Sequence, residues 1–212
     1  MSSAQETLDQ LKTMFDDKIK QHGASGEGVG WKNTEAQQAR YAQVLHLFAD
    51  KNEAFRIIDY GCGAGALSEY ILSHGYNATY TGYDMTPASI VEAKRVYGHL
   101  PNVSFTDDEN TLQKGDYVIG CGLFSMRLDT PDEVWEQHVH RTIDKLWSLS
   151  TKGIVFNSLT SYSDPQYMRP ELYYPDPLAL FDYCKKHISR NVALYHDYDL
   201  YDFTIVVRPT AL

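Results

Sequence analysis

The chain has 212 residues, 43% hydrophobic and 13% aromatic, enough to fill a two-sided core and about the size of one α/β domain. Its 19 basic and 28 acidic residues give a formal charge of -9, the wrong sign for a surface that neutralises many phosphates, so no nucleic-acid partner is expected. Cys62, Cys121 and Cys184 stand far apart with no Cys-x-x-Cys pair, which predicts reduced thiols and no metal. No basic-then-apolar leader opens the chain and no apolar run approaches the ~18 residues of a membrane span. A cytoplasmic protein with no membrane association is expected.

Leu8, Leu11, Phe15 and Ile19 recur at helical spacing, so the first twenty residues predict an amphipathic helix, broken by the glycines from Gly23 to Gly30. Thr34 and Gln37 form a capping-box pair ahead of the stripe Tyr41, Val44, Leu45 and Phe48, a second helix. Phe55 to Tyr60 reads as a strand and Ala66 to Ser73 as a helix, with Gly75 as its cap; Ala78 to Tyr83 is the next strand. Thr86-Pro87 opens another helix that Gly98 closes. Two successive strand–helix units predict a parallel sheet.

Val103 to Phe105 and the apolar run Asp116 to Cys121 are the third and fourth strands, the latter central. Thr130, Pro131 and Glu133 announce a helix, with a capping box and Val134, Val139, Ile143 and Leu146 on one face. His138 and His140, two apart, point to different faces of that helix and predict no metal pair. Gly153 to Leu159 is a fifth strand and Pro177 to His187 a helix. Asn191 to Tyr198 and Tyr201 to Arg208 follow as two strands with only Asp199 and Leu200 between them, a hairpin that makes the sheet end antiparallel.

The run Asp59-Tyr60-Gly61-Cys62-Gly63-Ala64-Gly65 lies between a strand and a helix. Glycines there permit a sharp turn and close approach of a ligand, and the following helix offers free N–H groups to a carboxylate. Asp84 ends the second strand nineteen residues after Gly65, the distance at which an acid reaches ribose hydroxyls in such folds. The glycines also fit a dinucleotide loop if Gly61, Gly63 and Ala66 are counted, so their spacing alone leaves both cofactors open.

Three features together resemble the class I S-adenosylmethionine-dependent methyltransferases of the small-molecule type: the acid Asp59 two residues before the first glycine, the helical segment ahead of the first strand, and the closing strand pair. The resemblance runs from Gly23 to Arg208 and rests chiefly on Ile58 to Gly65, Tyr83-Asp84, Asp108 and Asp116 to Phe124. It implies a single Rossmann-like α/β domain over 1–212. Residues 1–50 would form a helical cap, and residues 54–209 a mostly parallel seven-stranded sheet with helices on both faces and an antiparallel C-terminal hairpin.

It also implies S-adenosyl-L-methionine as cofactor and S-adenosyl-L-homocysteine as product. Gly61, Gly63 and Gly65 would line the methionine moiety, with Cys62 and Met85 also among the cofactor-binding residues. Asp59 would order the amino group, Asp84 bind the ribose and Asp108 meet the adenine. Cys121 would lie beside the amino end or the sulfonium; a small buried core thiol is its equal alternative. Gly28-Val29-Gly30-Trp31 followed by Gln37-x-x-Arg40-Tyr41 is similar to the lead-in of bacterial small-molecule methyltransferases, which adds Trp31 and Arg40 to the cofactor set. Arg40 either clamps the cofactor carboxylate or stands solvated on its helix.

Ligands of open α/β sheets bind beyond the carboxyl ends of the strands, which makes Phe124, Arg127, Tyr162, Tyr173 and Tyr174 the substrate candidates. The expected reaction is methyl transfer to a hydroxyl or amine of a small molecule, a sugar or a secondary metabolite among them, with no catalytic base named by any motif. A protein that binds the cofactor without transfer and a nicotinamide-dependent oxidoreductase are the alternatives. Oligomeric state is not legible.

Overall fold

The computed structural model describes residues 3–24 and 34–210. Helix α1 (Ala4–His22) starts at a capping box in which Ser3 and Glu6 satisfy each other's backbone N–H groups. Helix α2 (Thr34–Val44) leads through a short 3₁₀ turn to β1 (Phe55–Tyr60). Then come α3 (Ala66–Ser73), β2 (Ala78–Tyr83), α4 (Pro87–Tyr97), β3 (Val103–Thr106), β4 (Gly115–Gly120) and α5 (Asp132–Leu149). The chain closes with β5 (Ser150–Leu159), α6 (Pro177–His187), β6 (Asn191–Tyr195) and β7 (Asp202–Arg208).

The seven strands lie in the order β3-β2-β1-β4-β5-β7-β6. All pairings from β3 to β5 are parallel, and β7 runs antiparallel to both of its neighbours. Strand alternation sends successive residues to opposite faces. Ile57, Ile119, Val155 and Val206 pack under α2, α3 and α4. Ile58, Val118, Ile154, Phe156 and Val207 pack under α5 and α6, with Trp135, Ile143 and Leu180 fully enclosed there. Both faces are therefore covered, as a parallel sheet requires. Strand order reverses between β1 and β4, which opens the crevice where ligands of such sheets bind.

Two sequence expectations are corrected. Thr130 does not cap α5: Pro131 takes that position with no side-chain bond, and the Thr130 hydroxyl is instead engaged with the Thr7 hydroxyl of α1. A tertiary partner thus replaces the local capping box. The last two strands are not joined by a two-residue turn, because β6 stops at Tyr195, paired with Thr204, and residues 196–201 form the connection. The Tyr198 hydroxyl bonds the Thr204 hydroxyl at 3.0 Å, folding that connection back on β7. No described helix is long and apolar enough to cross a membrane, and the three cysteines are unpaired by disulfides.

Candidate cofactor pocket

A cavity of about 530 Å³ opens at the carboxyl ends of β1, β2 and β4 and is roofed by α1. Its floor is the loop after β1. Gly61 and Gly65 have φ of 82° and 86°, left-handed values that favour glycine. A Cβ on Gly61 would stand 2.2 Å from Leu123 Cδ2, and one on Gly65 2.7 Å from Phe105 Cε1. The loop is tied down by its own amides: Gly61 N–H and Cys62 N–H donate to the Tyr83 carbonyl at 2.7 and 2.9 Å. Gly63 N–H donates to Asp84 Oδ2 at 2.9 Å, and Thr86 N–H to Asp84 Oδ1 at 2.9 Å. Asp84 is therefore oriented by backbone donors, which oppose the upward push of burial on its pKa.

Asp59 lies 2% exposed in the wall. The Tyr80 hydroxyl donates to Oδ2, while Oδ1 has no hydrogen-bond partner among the described residues. Burial, only partly offset by that bond, pushes its pKa up to about 7. An orphaned buried carboxylate oxygen on a residue that lines a cavity is costly unless a donor arrives to meet it.

Cys62, Met85 and Cys121 also line the cavity. Burial raises both thiols well above their ordinary range, so neither is a thiolate at neutral pH. The pocket thus gathers Asp59, Gly61, Cys62, Gly63, Asp84, Met85 and Cys121 from the sequence-derived set. Gly65 stands behind the floor as the left-handed residue that starts α3.

Other candidates are placed elsewhere. Asp108 is exposed and accepts from Asn110 N–H as the cap of a short turn. The acid after β3 that reaches the cavity is Glu109, which accepts from the Tyr60 hydroxyl at 2.6 Å and pairs with Lys145 at 3.1 Å. Burial works against its charge, but those two partners hold its pKa below the ordinary value. Arg40 is neither at the cavity nor solvated: its Nε donates to Asp202 Oδ1 at 2.9 Å and its Nη2 to Asp202 Oδ2. Trp31 lies outside the described residues.

The substrate candidates do not gather at the pocket. Phe124 is fully buried, edge-on to Phe156, with its carbonyl accepting from Trp135 Nε1. Arg127 bonds the Leu128 and Thr130 carbonyls and pairs with Asp132 at 2.8 Å. Tyr173 is a core residue, and the Tyr174 hydroxyl accepts from Arg169 N–H. Tyr162 is exposed and leans on His196, with ring centroids 5.8 Å apart. All five were placed by the position of the loops after β4 and β5, and position alone does not say which way a side chain turns.

The residues that sequence reasoning missed come from helix faces. Gln37 and Tyr41 of α2 enter the wall, as do His138 and Thr142, one turn apart on α5. Burial, with Arg141 nearby, keeps the His138 pKa below its usual value, so the imidazole is neutral at pH 7 and able to take a proton. From α1, Leu8, Leu11 and Phe15 form an apolar roof. That helix is pinned at both ends, by Thr7 to Thr130 and by Asp16 Oδ1 accepting from Ala88 N–H at 3.1 Å.

The sequence profile described as a methyltransferase domain matches residues 58–144. A Mycobacterium tuberculosis protein that carries a methyltransferase name, Rv1506c, is 44% identical over 156 residues, 74% of this chain and 94% of its own length. The fold is shared with magnesium protoporphyrin IX methyltransferase from Synechocystis PCC 6803 with bound SAH, at a TM-score of 0.65 and 17% identity, covering 95% of this chain and 97% of that one. Human N-acetylserotonin methyltransferase in complex with SAM superposes with a TM-score of 0.67 at 15% identity; the match covers 99% of this chain and 61% of that one. The chain belongs to the methyltransferase-domain family, with the seven-stranded fold of the class I methyltransferases.

Proposed function

We propose that the protein transfers a methyl group from S-adenosylmethionine to a hydroxyl or amine of a small molecule, such as a sugar or secondary metabolite. The observation that carries the donor reading is Asp59 Oδ1, a buried carboxylate oxygen with no donor among the described residues, on a residue of the wall beside the glycine loop. A cationic amino group satisfies it, and no neutral ligand end would do so as well. Asp84, already fixed by Gly63 and Thr86, keeps lone pairs for ribose hydroxyls.

The donor, when bound, supplies a methyl already activated on a sulfonium, so the protein's part is alignment and exclusion of water. The glycine floor admits the ligand backbone-close, and Asp59 holds its charged end. Glu109 and Tyr60 border the side toward β3, where Glu109 takes the place first expected of Asp108, and Leu123, after β4, borders the other side. Leu8, Leu11 and Phe15 shut the roof, which supports reading the N-terminal helices as a cap on the core that follows. No base is assigned: a neutral His138 lies in the wall, and which proton moves depends on the acceptor.

Titration calorimetry with S-adenosylmethionine, S-adenosylhomocysteine and NADH tests this reading, with Asp84→Ala as the control. Saturable heat with both sulfur ligands, weakened by the substitution, is expected. Heat with NADH alone would overturn it. Binding without any S-adenosylhomocysteine formed across a broad panel of hydroxyl and amine acceptors would instead favour a binding protein without transfer.

A further inference from the structure

One buried polar chain touches the cavity only from behind. Asn157, on β5 and 4% exposed, accepts from Gly122 N–H through Oδ1 at 2.7 Å. Its Nδ2 donates to Asp202 Oδ1 at 3.1 Å. Asp202, 2% exposed at the start of β7, takes two bonds from the Arg40 guanidinium, and Arg40 Nη1 returns to the Ala36 carbonyl of α2 at 3.0 Å. The bonds fix the amide orientation of Asn157 without ambiguity: its oxygen must meet an N–H and its nitrogen a carboxylate.

One end of this chain is cavity wall and the other adjoins it. Gly122 and Cys121 line the pocket at the end of β4, and Gly122 is held at φ 83°. In a trans peptide the carbonyl points opposite to the N–H. Fixing Gly122 N–H toward β5 therefore turns the Cys121 carbonyl toward β1, the side where Asp59 and the glycine loop lie. At the other end, Arg40 sits between Gln37 and Tyr41, and these two α2 residues face the cavity while Arg40 faces Asp202.

We propose that Asn157 is a positioning residue for methyl transfer, the middle of an Arg40–Asp202–Asn157 relay that aims the Cys121–Gly122 peptide and locks α2 against the donor site. The inference rests on the donor reading above. It assigns to Asn157 an effect on donor affinity although its side chain does not reach the cavity. Among side chains of this shape only an amide both accepts from Gly122 and donates to Asp202. Aspartate at 157 keeps the first bond and sets two carboxylates against each other.

The test is the Kd for S-adenosylhomocysteine, with melting temperature, in Asn157→Asp, Asp202→Asn and the double variant. Asn157→Asp is expected to weaken binding by about tenfold or more, the scale of one charge-assisted bond lost. Asp202→Asn, which keeps a hydrogen-bond path but loses the ion pair, weakens it several-fold. The double variant restores donor-to-acceptor order with the roles exchanged, so it binds better than Asn157→Asp. A melting temperature that falls while Kd stays at the wild-type value would make Asn157 merely structural and overturn the relay. So would a double variant as weak as the two singles combined. If Asn157→Asp does not fold, the neutral Asp202→Asn decides: an unchanged Kd overturns the proposal. Wild-type protein that binds no sulfur ligand removes the donor reading and the relay together; wild-type binding with unaffected variants removes the relay alone.

Discussion

The floor and the roof of the cavity are made by different physics. The floor is backbone: left-handed glycines and three amide bonds, two to the Tyr83 carbonyl and one to Asp84, leave the loop one arrangement. The roof is side chain: α1 lays Leu8, Leu11 and Phe15 over the opening and is held at its ends by Thr7 and Asp16. A surface fixed by backbone geometry tolerates almost no substitution, whereas a packed helix loses grip in proportion to what is removed.

The largest expected break is in the floor. Gly61→Val combines a left-handed φ with a Cβ 2.2 Å from Leu123 Cδ2, a cost of order 2–5 kcal/mol from strain and overlap together. Donor binding is abolished and the melting temperature falls; calorimetry and thermal unfolding read both.

Asp59 comes next. Its folded pKa of about 7 lies above the ordinary value of 3.8. The contribution of this group to stability is therefore full below pH 3.8 and is lost as pH rises toward 7. A cationic ligand favours the ionised form, so donor affinity runs the other way, falling by about tenfold per pH unit below 7 and levelling above it. Asp59→Asn flattens that profile, weakens binding at pH 8 by about ten- to a hundredfold, and raises the melting temperature of the free protein at pH 8 more than at pH 4. A Kd for the variant equal to wild type at pH 8 would show that no cation meets this carboxylate.

The roof yields less. Leu11→Ala, at a position 5% exposed, removes about 2 kcal/mol, the lower end for such truncations because one side already faces a cavity. Dissociation of S-adenosylhomocysteine quickens more than association changes, and amide exchange along α1 speeds up. The smallest pair separates two adjacent acids: Asp108→Ala leaves donor affinity within about twofold, as expected of an exposed turn cap. Glu109→Gln weakens it several-fold. Equal effects would return Asp108 to the site.

The same contrast explains what was legible in the sequence. The turn at Gly61 and Gly63 and the place of Asp84 at the end of β2 could be read because backbone conformation demands particular residue types at fixed spacing, and the parallel sheet followed from successive strand–helix units. The stripe of α1 announced an apolar face without saying what it covers, since an amphipathic pattern carries no address. Glu109 and His138 stayed hidden for a related reason: the direction of a side chain off a turn or a helix depends on packing with distant residues. Phe124 and Tyr173 were misread as substrate contacts because loops beyond a sheet also fill its core. Arg40 was read as a ligand clamp or a solvated cation, and Asp202, 162 residues away, took it instead.

With the donor seated in the cavity as proposed, the position of α1 sets a clock on the reaction. A helix anchored at Thr130 on one side and Ala88 on the other, with three of its apolar residues in the roof, stands in the way of both arriving and departing nucleoside. Each cycle then includes one opening of that helix after the methyl has moved. A rapid first turnover followed by a slower steady rate is the expected time course, and loosening α1 raises the steady rate while leaving the first turnover unchanged.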